Sequence, residues 1–106
     1  MEKIPRKEMI FSMLLKEPND VFLNYALAME YLASHDFNEA ANQLKKVLTI
    51  NSDYLPCFYQ LGQVHEKLGN NDVAISFYKK GVEIAKLQNN TKALGELNEA
   101  IWMLED

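Results

Sequence analysis

Apolar residues recur along this chain every three or four positions, and no stretch alternates apolar with polar in the manner of a strand. That periodicity predicts helices throughout. The first runs from about Pro5 to Lys16, with Pro5 in the first turn, where its missing N–H needs no partner. Residues 1–5 are expected to fray. Pro18 and Asn19-Asp20 end this helix and open the second, from about Asp20 or Val21 to Ser34, with Asp20 as its N-cap. His35-Asp36-Phe37 forms a turn, and Asn38 opens a third helix that ends near Ile50. Asn51-Ser52-Asp53 closes it and caps a fourth over 53–68. Gly69 stops that helix in a left-handed conformation. A fifth helix runs from about Asp72 to Leu87. After the turn Gln88-Asn89-Asn90, Thr91 caps a sixth that reaches about Leu104.

The expected inward faces are Ala40, Ala41, Leu44, Val47, Leu48 and Ile50 on the third helix, then Phe58, Leu61, Gly62, Val64, His65 and Leu68 on the fourth. On the fifth they are Val73, Ala74, Phe77, Tyr78, Gly81, Val82 and Ile84. The first helix differs. Met9, Ile10, Phe11, Met13, Leu14 and Leu15 cover roughly two-thirds of its circumference, wider than the stripe of an ordinary surface helix. It is therefore expected to be sandwiched in the domain or covered by something else.

The pattern also repeats. Residues 34 apart correspond: Leu27 with Leu61, Tyr31 with His65, Ala40 with Ala74, Leu44 with Tyr78, Ile50 with Ile84. Ala40 and Ala74 are small where two helices cross closely, as are Ala28 and Gly62, and large residues fill the volume around them. Stacked helix pairs need this, because each unit buries its face only against the next. The sixth helix follows at a spacing of 36, with Leu94, Leu97 and Ile101 matching Phe58, Leu61 and His65, so the fifth helix is expected to extend through Lys86 and Leu87. Ala93 and Ala100 join the apolar side of the sixth. Glu96, Asn98, Glu99, Glu105 and Asp106 make its other side wet, as in a capping helix. The reading is one domain over 1–106: a leading helix over 6–17, one unit over 21–54, a second over 55–88 and a cap over 91–105.

Residues 55–86 resemble a tetratricopeptide repeat. Phe58 stands at the family's Trp position, Leu61-Gly62 matches its Leu-Gly, and His65 replaces a Tyr. Gly69 matches the turn Gly, while Ala74, Tyr78 and Gly81 match the small and aromatic positions. Lys86 replaces the terminal Pro. Residues 21–54 are a second match through Leu27-Ala28, Tyr31, Ala40, Leu44 and Val47, departing at Asn24 and Ser52. Residues 6–18 resemble the second helix of a preceding unit, with Ile10 and Met13 on buried positions and Pro18 on the terminal Pro. The resemblance implies an all-α, right-handed superhelical stack of antiparallel helix hairpins, with about six helices. It also implies a concave groove lined by the first helix of each unit. Phe22, Tyr25, Ala26, Met29, Leu32 and Ala33 would line it in the first unit. In the second they would be Pro56, Tyr59, Gln60, Gln63, Glu66 and Lys67. The occupant implied is an extended or helical peptide of another protein. The family's clamp for chaperone C-terminal carboxylates is not expected. Its positions here are Tyr25, Met29 and Gln60, with no Lys or Asn to hold a carboxylate.

Composition narrows the chemistry. A net charge of −4, with Arg6 the single arginine and no more than two lysines together, speaks against nucleic acid. No apolar run approaches the ~18 residues that span a membrane, and none near the start has signal-peptide character. Cys57 is the sole cysteine, which excludes an intrachain disulfide and fits a reducing, cytoplasmic setting. It is expected to be buried rather than reactive. His35 and His65 have no neighbouring ligands for a metal. No catalytic arrangement can be named, so neither an enzyme nor a cofactor is expected. Lys45-Lys46 and Lys79-Lys80 read as solvated outer faces.

Two apolar excesses remain. Trp102 lies about 80–100° from the centre of the sixth helix's stripe, and Met103 lies nearly opposite that stripe. The broad apolar surface of the first helix is the other. Ile10, Phe11, Leu14, Leu15 and Trp102 are therefore the candidate self-association residues, for a homodimer closed by a twofold contact through the first helix.

Overall fold

The computed structural model describes residues 4–105. The expected fraying of residues 1–3 and the wet-face assignment of Asp106 lie outside the described residues. Six helices make up the described chain: α1 (Arg6–Lys16), α2 (Val21–Ala33), α3 (Phe37–Ile50), α4 (Leu55–Lys67), α5 (Asn71–Leu87) and α6 (Thr91–Leu104). They divide into two compact units, one ending at Ser52 and the other starting at Asp53.

In the first unit, α1 ends at Lys16 because Pro18 drives Glu17 out of the helical region, to φ −133° and ψ 71°. Asp20 caps α2 as expected, its Oδ1 accepting from the Leu23 N–H at 2.8 Å. Asn24, one turn further on, is fully buried. Its Nδ2 donates to the carbonyls of Pro18 (3.0 Å) and Asp20 (2.8 Å), and its Oδ1 accepts from Gln43 Nε2 (2.7 Å). One side chain thus ties the α1–α2 turn to α3. The position where the family prefers Trp holds a satisfied polar node. Around it Leu27, Ala28, Ala40, Ala41, Leu44 and Val47 form the core, while Leu48 and Ile50 stop at half-burial.

The first helix is not sandwiched among the described residues. Ile10 is 5% exposed and alone turns fully inward; Leu14 is half-buried. Met9, Phe11 and Met13 are exposed, and Leu15 is 86% exposed. Met13 therefore departs from the buried position it was expected to hold. Arg6 Nε and Glu30 Oε2 (3.5 Å), and Lys7 over the Tyr31 ring (4.5 Å), link α1 to α2 at the periphery.

In the second unit, α4 starts at Leu55 rather than at 53. Its N-cap is Tyr54, which makes no side-chain cap bond, and Pro56 occupies the first turn. Leu55, Cys57, Phe58, Leu61, Gly62, Val64 and His65 are buried, and the His65 ring stacks on Phe77 with centroids 5.4 Å apart. The buried line of α5 is Ala74, Tyr78, Gly81 and Ala85, which leaves Val73 on the rim and exposed, against expectation. The extension of α5 through Lys86 and Leu87 is present. Its glycine sits in a tight space: a Cβ on Gly81 would stand 3.0 Å from Phe58 Cβ on α4 and 3.1 Å from Leu97 Cδ1 on α6, so these neighbours would have to give by a few tenths of an ångström. Helix α6 is capped by Asn90, not Thr91. Its Oδ1 accepts from the Ala93 N–H at 3.0 Å, because Thr91 is already helical. Leu97 is buried, and Ala93, Leu94, Ala100, Ile101 and Leu104 pack partly buried against the same core.

Three helices end in the same turn. In α2 the N–H of His35 donates to Leu32 O (3.0 Å) and that of Asp36 to Tyr31 O (2.9 Å). In α4 Gly69 donates to Glu66 O and Asn70 to His65 O, and in α5 Asn89 donates to Lys86 O and Asn90 to Ala85 O. This pair of hydrogen bonds satisfies orphan carbonyls and requires a left-handed residue after the helix. His35 (φ 58°), Gly69 (φ 81°) and Asn89 (φ 55°) supply it.

Candidate functional site

The residues expected to line a groove sit on one face of α2 and one face of α4. On α2, Phe22 is 75% exposed, while Tyr25, Met29 and Leu32 are half-buried. On α4, Tyr59, Gln60, Gln63 and Glu66 are half-buried and Lys67 is exposed. A cleft of about 290 Å³ lies within the second unit. Helix α4 contributes Tyr59, Gln63 and Glu66 to it. Helix α6 contributes Glu96, Glu99, Ala100 and Met103. Gln60 and Lys67 do not line it.

The rear of this cleft is fixed by Tyr78 of α5, which is fully buried. Its hydroxyl donates to Glu66 Oε2 and accepts from Gln63 Nε2 at 2.9 Å. Burial, reinforced by the Glu66 carboxylate, pushes the Tyr78 phenol well above its ordinary value. The phenol therefore stays protonated and serves as a permanent donor. The Tyr59 ring leans on the Tyr78 ring, with centroids 5.9 Å apart and planes at 50°. Gln63 and Glu66 are thus held by hydrogen bonds and Tyr59 by ring contact, all before any ligand arrives.

The α6 side of the cleft was not expected as a lining. Its signal is nevertheless in the sequence: positions 96, 99, 100 and 103 follow the i, i+3, i+4, i+7 spacing of one helix face. Met103 points away from the apolar stripe because it belongs to this face.

The self-association candidates are divided between the two units. Ile10 belongs to the core. Phe11, Leu14 and Leu15 line a shallow cleft of about 230 Å³ in the first unit, whose floor includes Pro18, Leu27 and Tyr31. Trp102, 78% exposed, lies in the other unit. Cys57 is fully buried, and burial pushes its thiol up to about 12. Among the described residues no three His, Cys, Asp or Glu side chains come together to hold a metal ion, and no helix is long and apolar enough to cross a membrane.

Comparison with known proteins agrees with the helical-repeat fold. The family described as "Anaphase-promoting complex, cyclosome, subunit 3" matches residues 2–81. A tetratricopeptide repeat domain protein of Salinibacter ruber is 34% identical in its solution structure. That match covers 83% of this chain and 89% of the other, at a TM-score of 0.78. The crystal structure of the Salinibacter ruber domain gives 34% identity, coverages of 81% and 97%, and a TM-score of 0.75. A protein of Bordetella parapertussis shares the fold at 20% identity, with coverages of 96% and 89% and a TM-score of 0.86. No curated protein matches the sequence. The chain belongs to the tetratricopeptide repeat family, through the group described by that subunit. The family is one of protein–protein interaction modules and is in general not catalytic.

Proposed function

We propose that this protein is a non-catalytic adaptor that holds a segment of another protein on the α4–α6 face of its second unit. The carrying observation is the cleft itself: a half-buried tyrosine, an amide and a carboxylate fixed in place by Tyr78, opposite a second wall from α6. Preorganised polar groups beside an aromatic ring are what an extended peptide needs to gain affinity without ordering its receptor. Within the first unit, the exposed Phe22 and half-buried Tyr25, Met29 and Leu32 of α2 form a more apolar stretch of their own. The buried Cys57 thiol is in keeping with a reducing, cytoplasmic setting. The test is a peptide-display selection against the folded chain, followed by Tyr59→Ala. Selected peptides should lose at least about tenfold in affinity on removal of the central aromatic contact, with the helical spectrum unchanged. Peptides that bind the variant equally well would rule out the cleft.

The exposed apolar row of α1 favours a second reading, self-association through Phe11 and Leu15. Light scattering after size-exclusion chromatography, at two concentrations a hundredfold apart, decides it. A mass of twice 12.2 kDa that reverts to 12.2 kDa in Phe11→Glu supports the dimer. A mass of 12.2 kDa for the unaltered chain at both concentrations removes it.

A further inference from the structure

The cleft between α4 and α6 has a definite sign. Three of its lining side chains are carboxylates, Glu66 from α4 and Glu96 and Glu99 from α6, and none is basic. The remaining lining is amphipathic or apolar: the Tyr59 ring, the Gln63 amide, Ala100 and the Met103 thioether. The carboxylates do not converge closely enough to hold a metal ion. They stand around the cavity, so the cation they suit is larger than an ion and carries an apolar stem. A volume of about 290 Å³ sits at the bottom of the range for small-molecule pockets and admits a single long side chain.

We infer that this cleft receives an arginine or lysine side chain from a basic segment of the partner protein, an inference that rests on the peptide-binding reading above. The stem lies along Ala100 and Met103, the charged head faces Glu96 and Glu99, and the Tyr59 ring flanks it. Glu66 differs from the other two carboxylates. The Tyr78 hydroxyl occupies its Oε2, which fixes the carboxylate and leaves it one fewer lone pair to offer. It acts as an anchored charge at the rear, and Glu96 and Glu99, both exposed, take the direct contacts. Arginine is favoured over lysine, because a planar guanidinium can engage a carboxylate through two parallel bonds while stacking on the ring.

The experiment is a nuclear magnetic resonance titration of the full, isotope-labelled chain with three short blocked peptides. They are identical except at two positions, which hold arginine, citrulline or glutamate. The arginine peptide is expected to shift the amide signals of Tyr59, Gln63, Glu99 and Ala100 saturably. The citrulline peptide, isosteric but neutral, should bind at least about fivefold more weakly, and added salt should close that gap. In the Glu96→Gln, Glu99→Gln variant the arginine and citrulline peptides should come within about twofold of each other, with an unchanged helical spectrum. Equal binding of all three peptides at the cleft would overturn the charge inference and leave the peptide-binding reading standing. If none of them shifts the cleft, both fall.

Discussion

The ring of Tyr78 occupies the space that a side chain on Gly62 would need: a Cβ there would lie 2.0 Å from Tyr78 Cε1. The equivalent pair 34 residues earlier is Ala28 with Leu44, both fully buried. Each unit thus fills the same inter-helix space in a different way, one with glycine and a large ring, the other with alanine and a smaller aliphatic group. Gly62→Ala should therefore destabilise the protein by about 3 kcal/mol from overpacking. Intrinsic helix propensity alone would favour alanine by about 1 kcal/mol, so the sign separates the two effects. Urea denaturation should also show recovery of much of the loss in Gly62→Ala, Tyr78→Leu, which recreates the first unit's pair.

Asn24 is the corresponding singular feature of the first unit. Asn24→Ala removes two donated bonds and one accepted bond, and strands the Pro18 carbonyl and the Gln43 amide at a partly buried site, while the Asp20 carbonyl keeps the backbone N–H of residue 24. At about 1 kcal/mol for each bond, the expected loss is about 3 kcal/mol by chemical denaturation. Hydrogen exchange should quicken first in the α1–α2 turn, since that is the segment the side chain holds.

His35 pays a conformational penalty that Gly69 avoids at the same place in the next unit. His35→Gly should raise the thermal midpoint, with a gain of about 1 kcal/mol from relief of the left-handed strain. The gain is reduced by whatever the stack of His35 on Phe37, at 5.7 Å, contributes. Asn89→Gly should give a smaller gain, because asparagine tolerates this conformation better than histidine does.

The Cys57 thiol is raised from 9.0 to about 12 by burial. The unfolded chain therefore releases this proton at lower pH than the folded one does. Its contribution to stability is fully present below about pH 9 and is lost progressively as pH rises toward about 12. Tyr78, shifted in the same direction, adds to the decline above about pH 10. Equilibrium unfolding followed from pH 8 to 11 should fall more steeply for the unaltered chain than for Cys57→Ala, by up to one proton in the slope. Parallel slopes would mean that the thiol titrates alike in both states.

The spacing of apolar residues was enough to place all six helices, since a core-facing stripe repeats with the helical turn whatever lies beside it. Helix starts were less legible. Asp53 and Thr91 have side chains suited to capping, yet the chain enters its helices one residue away from each, at Tyr54 and Asn90. Burial at stripe edges was legible only in part. Val73 is apolar but stands one position before the line of Ala74, Tyr78, Gly81 and Ala85, so it faces solvent. Of the cleft, the α4 residues Tyr59, Gln63 and Glu66 were implied by the family resemblance. The α6 side was not, because Glu96 and Glu99 look like ordinary solvated residues until the fold sets Tyr59 and Gln63 opposite them.

The two polar arrangements, Asn24 with Gln43 and Tyr78 with Gln63 and Glu66, have a bearing on how the chain avoids assembling wrongly. Helices that repeat every 34 residues are close enough in pattern to exchange partners during folding or between copies. If α2 paired with α5, Asn24 would find Phe77 where Gln43 belongs, and the Tyr78 ring would meet the methyl group of Ala28 in place of Gly62. If α4 paired with α3, Gln43 would face Phe58 and the space beside Gly62 would hold only Leu44. Each wrong pairing leaves a polar group stranded and a volume misfilled. The native pairing satisfies both groups and fills both volumes, so the two polar arrangements favour each hairpin's own partner over its look-alike.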